Sequence, residues 1–151
     1  MGGSENCTKP ERFGGASPLV TEAEFHDKGW GYELWIHNDE DYCGKILAMN
    51  PGTVLSLHYH KLKKETFHVL EGEGVLLLGA PGAKNAVIEK FVNLLPGVTV
   101  EIPIGTPHGI ICTCKHEFDT DEVGAEPYML KIMEVSTQHH EEDSFRLVKG
   151  D

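Results

Sequence analysis

Gly52-x5-His58-x-His60-x4-Glu65-x6-Gly72 is the stretch that decides the fold, and Gly97-x5-Pro103-x-Gly105-x2-His108 is its counterpart further along the chain. Side chains at i and i+2 of a strand share a face, so His58 and His60 can reach one ion from the same side of a sheet. Glu65 joins them only if the chain reverses, and Lys61 to Lys64 supply that turn into an antiparallel neighbour. Glycines punctuate both segments, and Pro103-Ile104-Gly105-Thr106-Pro107 forms a rigid turn leading into His108. A single histidine reads as a satisfied core residue, and an HxH pair arises by chance; four donors in two glycine-framed segments point to a metal site. Three imidazoles and a carboxylate suit one divalent transition metal (zinc, manganese, iron, nickel or cobalt) better than calcium or magnesium.

Around these segments the pattern is of short strands cut by turns. Strands are predicted at Tyr32 to His37, Tyr42 to Met49, Val54 to His60, Thr66 to Leu70, Val75 to Leu78, Ala86 to Val92, Val98 to Ile102, His108 to Cys114 and Tyr128 to Val135. Turn clusters such as Asn50-Pro51-Gly52, Ala80-Pro81-Gly82 and Leu95-Pro96-Gly97 separate them, as in a small all-β sandwich or barrel. Residues 1–18, rich in Gly, Ser, Pro and charge, read as a flexible N-terminal arm. Residues 19–137 form the single domain, with an exposed acidic loop from Glu117 to Glu126. Residues 138–151 read as a solvated C-terminal tail, in which His139 and His140 are surface residues rather than extra ligands.

A chain of 151 residues can bury a proper core as one domain. The net charge of −11, from 13 Lys plus Arg against 24 Asp plus Glu, argues against nucleic acid or an anionic membrane as partner. No apolar run of about 18 residues could span a bilayer, and the first residues lack a secretory apolar core, so a cytoplasmic location is expected. Cys7, Cys43, Cys112 and Cys114 are then thiols. Cys112 and Cys114 read as small buried hydrophobes sharing a strand face rather than as a redox pair.

Strand alternation assigns faces. With His58 and His60 inward, Val54 and Ser56 follow, and Leu55, Leu57 and Tyr59 form an outward apolar row that needs a cover. A second strand layer or a second subunit would supply it, and a homodimer is predicted. Glu65, Phe67 and Val69 point inward on their strand, as do His108, Ile110 and Cys112 on theirs, while His68 points away. Lys45 shares a face with Cys43 and Leu47, and the pattern leaves open whether that face is inward.

Both glycine-framed segments resemble the two signature motifs of the cupin superfamily, over a region from about Gly31 to Val135. The resemblance implies a double-stranded β-helix, a jelly-roll barrel, with His58, His60, Glu65 and His108 as metal ligands near its open end. One departure is Cys112, which stands where the second motif usually ends in asparagine. The flanks Trp30-Gly31-Tyr32-Glu33-Leu34-Trp35-Ile36, Tyr42 to Leu47 and Glu65 to Val69, with Glu134 to Thr137 and Glu142 to Arg146, resemble small mannose-6-phosphate isomerase-like cupins. That likeness implies a small carbohydrate or carbohydrate-phosphate substrate.

Three functions are compatible with this reading. The first is a metal-dependent sugar or sugar-phosphate isomerase, in which Lys45, Glu65 or Glu101 carries the proton. Lys63 and Lys64, with Lys61, would clamp a phosphate or would form an ordinary charged turn, and Phe67 would line the substrate site. The second is a metal-dependent dioxygenase of a small organic molecule, which the largely apolar inward residues Val54, Phe67, Val69 and Ile110 favour. The third is a non-catalytic metal- or sugar-binding module.

Overall fold

The computed structural model describes residues 19–115 and 128–151. The predicted arm (1–18) and acidic loop (Glu117 to Glu126) lie outside the described residues. Among the described residues eleven strands follow in order: β1 (Glu24–Lys28), β2 (Gly31–Asn38), β3 (Cys43–Met49), β4 (Val54–Tyr59), β5 (Glu65–Glu71), β6 (Gly74–Leu78), β7 (Lys90–Leu94), β8 (Thr99–Ile102), β9 (His108–Cys112), β10 (Leu130–Ser136) and β11 (Phe145–Val148). They form two antiparallel sheets, one ordered β1-β2-β3-β10-β5-β8 and the other β11-β4-β9-β6-β7. From β3 to β6 the chain crosses between sheets at every step, and it does so again from β7 to β11. That winding makes a jelly-roll barrel, the all-β class its sequence pattern predicts.

The inner face of the six-stranded sheet changes character along its length. Row by row, Leu130 of β10 pairs with Met49, Ile132 with Leu47 and Val69 on its two sides, Glu134 with Lys45 and Phe67, and Ser136 with Cys43 and Glu65. The first two rows join Leu55, Leu76, Leu94 and Ile110 of the facing sheet in one apolar core. The next two carry charge. Period-2 alternation thus builds a dry half and a polar half from the same three strands. Lys45 faces inward, 2% exposed, which settles the orientation its sequence pattern left open.

Three expectations are corrected. Alternation on β4 is broken by a bulge, because Leu55 pairs with Ile110 but His58 with His108, three residues against two. Leu55 therefore enters the core, whereas Val54 is only half-buried. Gly109 lets the bulge approach, since a Cβ there would meet the Ser56 and Leu55 carbonyls at 3.3 Å. Secondly, the segment predicted at Ala86 to Val92 is a strand only from Lys90.

The third correction concerns 138–151, which is not a solvated tail. A 3₁₀ turn at Glu141–Asp143 leads into β11, which pairs with β4. Phe145 stacks on Tyr59 with ring centroids 5.2 Å apart, and Val148 stands opposite Leu57. The chain itself thus supplies cover for the outward row of β4. Asp151 also bonds Val54 through both its amide and its side chain.

Candidate metal centre and its cavity

His58 and His60 come from β4 and the residue just after it, and His108 opens β9. Gly105, at φ 76°, turns the chain before His108, and its amide donates to the His60 carbonyl at 2.7 Å, tying the two segments together. One nitrogen from each of the three histidines lies within 4.8 Å of the other two. Each ring's Nδ1 is engaged by a backbone carbonyl: His58 by Ser56 at 2.8 Å, His60 by Asp143 at 2.7 Å and His108 by Thr106 at 2.9 Å. A carbonyl only accepts, so each Nδ1 carries the proton and each Nε2 turns its lone pair to the common centre.

The donor chemistry fits a metal ion. His60 Nε2, His108 Nε2 and Glu65 Oε2 are buried, and with each Nδ1 carrying the proton all three are acceptors that face no donor among the described residues. Glu65 Oε2 lies 2.9 Å from His108 Nε2 and 3.6 Å from His60 Nε2. Buried orphans are rare unless something absent satisfies them. Burial holds His58 well below and His60 below the usual imidazole range, which keeps their lone pairs free. Burial would lift the Glu65 carboxyl, but His108, Lys63 and His60 hold it well below the ordinary carboxylate range. At His108 burial is outweighed by Glu65, which raises the imidazole, so a proton and a cation compete for that nitrogen.

Asp143 organises the ligand turn from the far end of the chain. Its carboxylate accepts the Lys61 and Leu62 amides at 2.8 and 3.1 Å and the Lys63 amide at 3.0 Å, while its carbonyl takes His60 Nδ1–H. Local sequence carries no sign of this, since the partners lie 80 to 83 positions apart.

Beside the triad is a cavity of about 320 Å³. Trp30, Leu47, Leu55 and Phe67 line it on the apolar side, and the Phe67 ring stands edge-on to His108 at 6.0 Å. Polar side chains share the lining: Glu33, Lys45, Glu134, His139 and Arg146. Lys45 Nζ sits 4.1 Å above the Trp35 ring and 3.5 Å from Glu33, whose Oε2 also accepts Trp35 Nε1–H at 2.6 Å.

The turn lysines separate. Lys63, expected as an exposed phosphate clamp, is 4% exposed, and its Nζ bridges Glu65 and Glu134 at 2.7 Å each. A lysine neutralised by two carboxylates is not a free anion site. Burial opposes its charge, but those carboxylates lift its affinity for the proton above the ordinary lysine value. Lys64 and Glu101 pair with each other at 3.0 Å, 50% and 60% exposed, and neither lines the cavity. The physical reason is alternation: Glu101 pairs with Thr66, on the outer face of β5. Lys45, Glu65 and Phe67 are brought to the cavity.

Sequence reading passed over Glu134, His139, Arg146, Trp35 and Asp143. Glu134 had a signal, since Leu130, Ile132 and Glu134 share one face of β10. The other four depend on long-range pairing. His139, read as a surface residue, contacts Trp35 edge-on at 5.1 Å and lies 3.4 Å from Lys63 Nζ. Burial, helped by Lys45 and Lys63, pushes its pKa down to about 3. As pH falls from 6.5 towards 3, the unfolded chain takes up a proton that the folded chain refuses, so stability drops across that window. The melting temperature of metal-free protein against pH should therefore fall less steeply in His139→Gln than in wild type. Superimposable profiles would refute the assignment.

Residues 45–118 match the family model of the cupin domain. That stretch carries the cupin-domain signature. Auxin-binding protein 4 of Zea mays is 32% identical over 72 residues, 48% of this chain and 35% of that protein. Among solved structures, the capsular polysaccharide assembling protein CapF from Staphylococcus aureus superposes at TM-score 0.63 with 16% identity, over 86% of this chain and 35% of that chain. Oxalate decarboxylase from Bacillus subtilis gives 0.63 with 14% identity, over 87% and 33%. KdgF from Halomonas sp. gives 0.59 with 14% identity, over 82% and 98%. This chain thus spans about a third of the length of Auxin-binding protein 4, CapF and the decarboxylase. At these structural identities the likeness is one of fold. These matches do not confirm the narrower resemblance to mannose-6-phosphate isomerase-like cupins. No helix among the described residues is long and apolar enough to cross a membrane.

Proposed function

We propose that the cupin is a metal-dependent isomerase of a small hydroxy-carbonyl compound of carbohydrate type. The observation that carries this reading is the charged inner row, Lys45 and Glu134 side by side on β3 and β10, opening into the cavity that holds the histidine triad. A cavity built for an apolar substrate has few such groups, whereas a polyol needs several converging beside the reacting carbon. CapF is a capsular polysaccharide assembling protein, and a carbohydrate role of that kind agrees with this class.

His58, His60 and His108, with Glu65 beside them, would hold a divalent ion, whose chemistry is to polarise a carbonyl and its neighbouring hydroxyl. Glu134 is the proton carrier. Burial and the nearby Glu65 raise its carboxyl, while Lys63 and Lys45 pull the other way. That poises it to take a proton from one carbon and return it to the next. Lys45 donates to the oxygen on which negative charge gathers. Lys63 keeps Glu65 and Glu134 apart in charge and fixed in place. Trp30 and Phe67 exclude water from one side.

The test is carbon-bound hydrogen exchange. Protein loaded with manganese, zinc or iron is incubated with a panel of aldoses and ketoses in deuterium oxide, and proton NMR follows the position beside the carbonyl. Deuterium should enter there, and Glu134→Gln should slow it by about 10²- to 10⁴-fold with metal content unchanged. Oxygen uptake by the iron-loaded protein without deuterium entry would replace this reading with an oxygenase.

A further inference from the structure

Arg146 lines the cavity, and the triad does not account for it. On β11 it stands directly opposite His58 on β4. Directly opposed residues of an antiparallel pair share a face, with Cβ atoms about 5 Å apart. The register then shifts between Arg146 and Val148, and a bulge beside a site is a common device for aiming one side chain. Two of the other cations lining the cavity are answered: Lys63 by Glu65 and Glu134, and Lys45 by the Trp35 ring and Glu33. Among the described residues Arg146 has no ion-pair partner, although Glu141 also lines the cavity.

We infer that Arg146 is an oxyanion clamp, and that the substrate carries a carboxylate or phosphate close to the group the histidine triad engages. This rests on the reading of the cavity as a substrate site. A guanidinium offers a rigid fork of donors that matches either oxyanion with two parallel hydrogen bonds. The chain carries −11 overall and repels anions at a distance, so a substrate anion needs a local cation to hold it. The short cross-strand step from His58 puts the clamp near the reacting end of the substrate. This favours a small sugar acid, hydroxy acid or short phosphate over a long chain charged at its far end. It also moves the anion site from the turn lysines to β11.

The two tryptophans of the chain, Trp30 and Trp35, both line the cavity, so intrinsic fluorescence reports its occupancy. Zinc-loaded protein is titrated with glycolate, with inorganic phosphate and with ethylene glycol as the neutral control. Glycolate or phosphate should give a saturable change, weakened about tenfold or more in Arg146→Gln and less in Arg146→Lys, with zinc content and melting temperature unchanged. The ratio of the two affinities assigns the oxyanion. Equal affinity in wild type and Arg146→Gln overturns the clamp, as does binding of ethylene glycol alone; either result leaves the metal-dependent reading intact. Failure of the wild type to take up zinc would sink that reading instead, and the same titrations on metal-free protein would still decide the role of Arg146.

Discussion

In a His58→Ala, His108→Ala double variant, bound metal is expected to fall from near-stoichiometric to background by plasma mass spectrometry, after loading with zinc, manganese or iron. Each of these imidazoles has its Nδ1 proton committed to a backbone carbonyl, so its Nε2 cannot serve as a hydrogen-bond donor to the centre unless it is also protonated. Removing two of three aligned lone pairs leaves His60 and a carboxylate already shared with Lys63. That remnant has neither the count nor the geometry of a transition-metal site. Folding should survive, because the dry half of the barrel lies in other rows. Retention of metal by the double variant would place the ion elsewhere.

The largest loss of stability is expected from Lys63→Met, at about 3–5 kcal/mol. Lys63 is buried between Glu65 and Glu134, themselves 2% and 3% exposed. Methionine has similar volume and no charge, so packing is kept while two carboxylates lose their shared counter-ion. For a chain of this size the melting temperature should fall by roughly 10 °C. Without the lysine the Glu134 carboxyl titrates higher still. A group whose folded pKa is raised binds its proton more tightly in the folded state, so the deficit should shrink as pH falls towards the carboxylate range. Lys63→Met with Glu134→Met should recover part of the loss, since removing both partners strands fewer charges. An unchanged melting temperature in Lys63→Met would mean that water already solvates this cluster.

Much of this was legible in the sequence because strand alternation is local. His58, His60 and His108 could be placed on inward faces from spacing alone, and Glu65, Phe67 and Val69 followed by the same rule. The failures have one cause. Alternation says which residues share a face but not which strand lies beside it. Arg146 and Val148 looked like part of an acidic terminus until β11 was seen to pair with β4. Lys63 read as a phosphate clamp or an ordinary turn lysine until β10 set Glu134 against it. The bulge that puts Leu55 in the core was invisible for a related reason: an extra residue in one strand is defined only by its partner. Even so, Glu134 sat on the same face as Leu130 and Ile132, and a carboxylate in an apolar row is a sign that can be read without coordinates.

The bond from His60 to the Asp143 carbonyl joins positions 83 residues apart, and the Asp143 carboxylate grips the intervening turn over almost the same span. Closing so long a loop is slow compared with forming a hairpin, and its entropy must be met before any ligand is aligned. The order of events during maturation follows from this. A chain still collapsing can show a metal loose histidines but not a fixed arrangement of lone pairs, and that arrangement appears only when the last strand has docked. Selection of a metal by this triad would thus be deferred to the finished barrel, where the spacing of rigid donors, rather than the affinity of an unfolded segment, would decide which ion is kept.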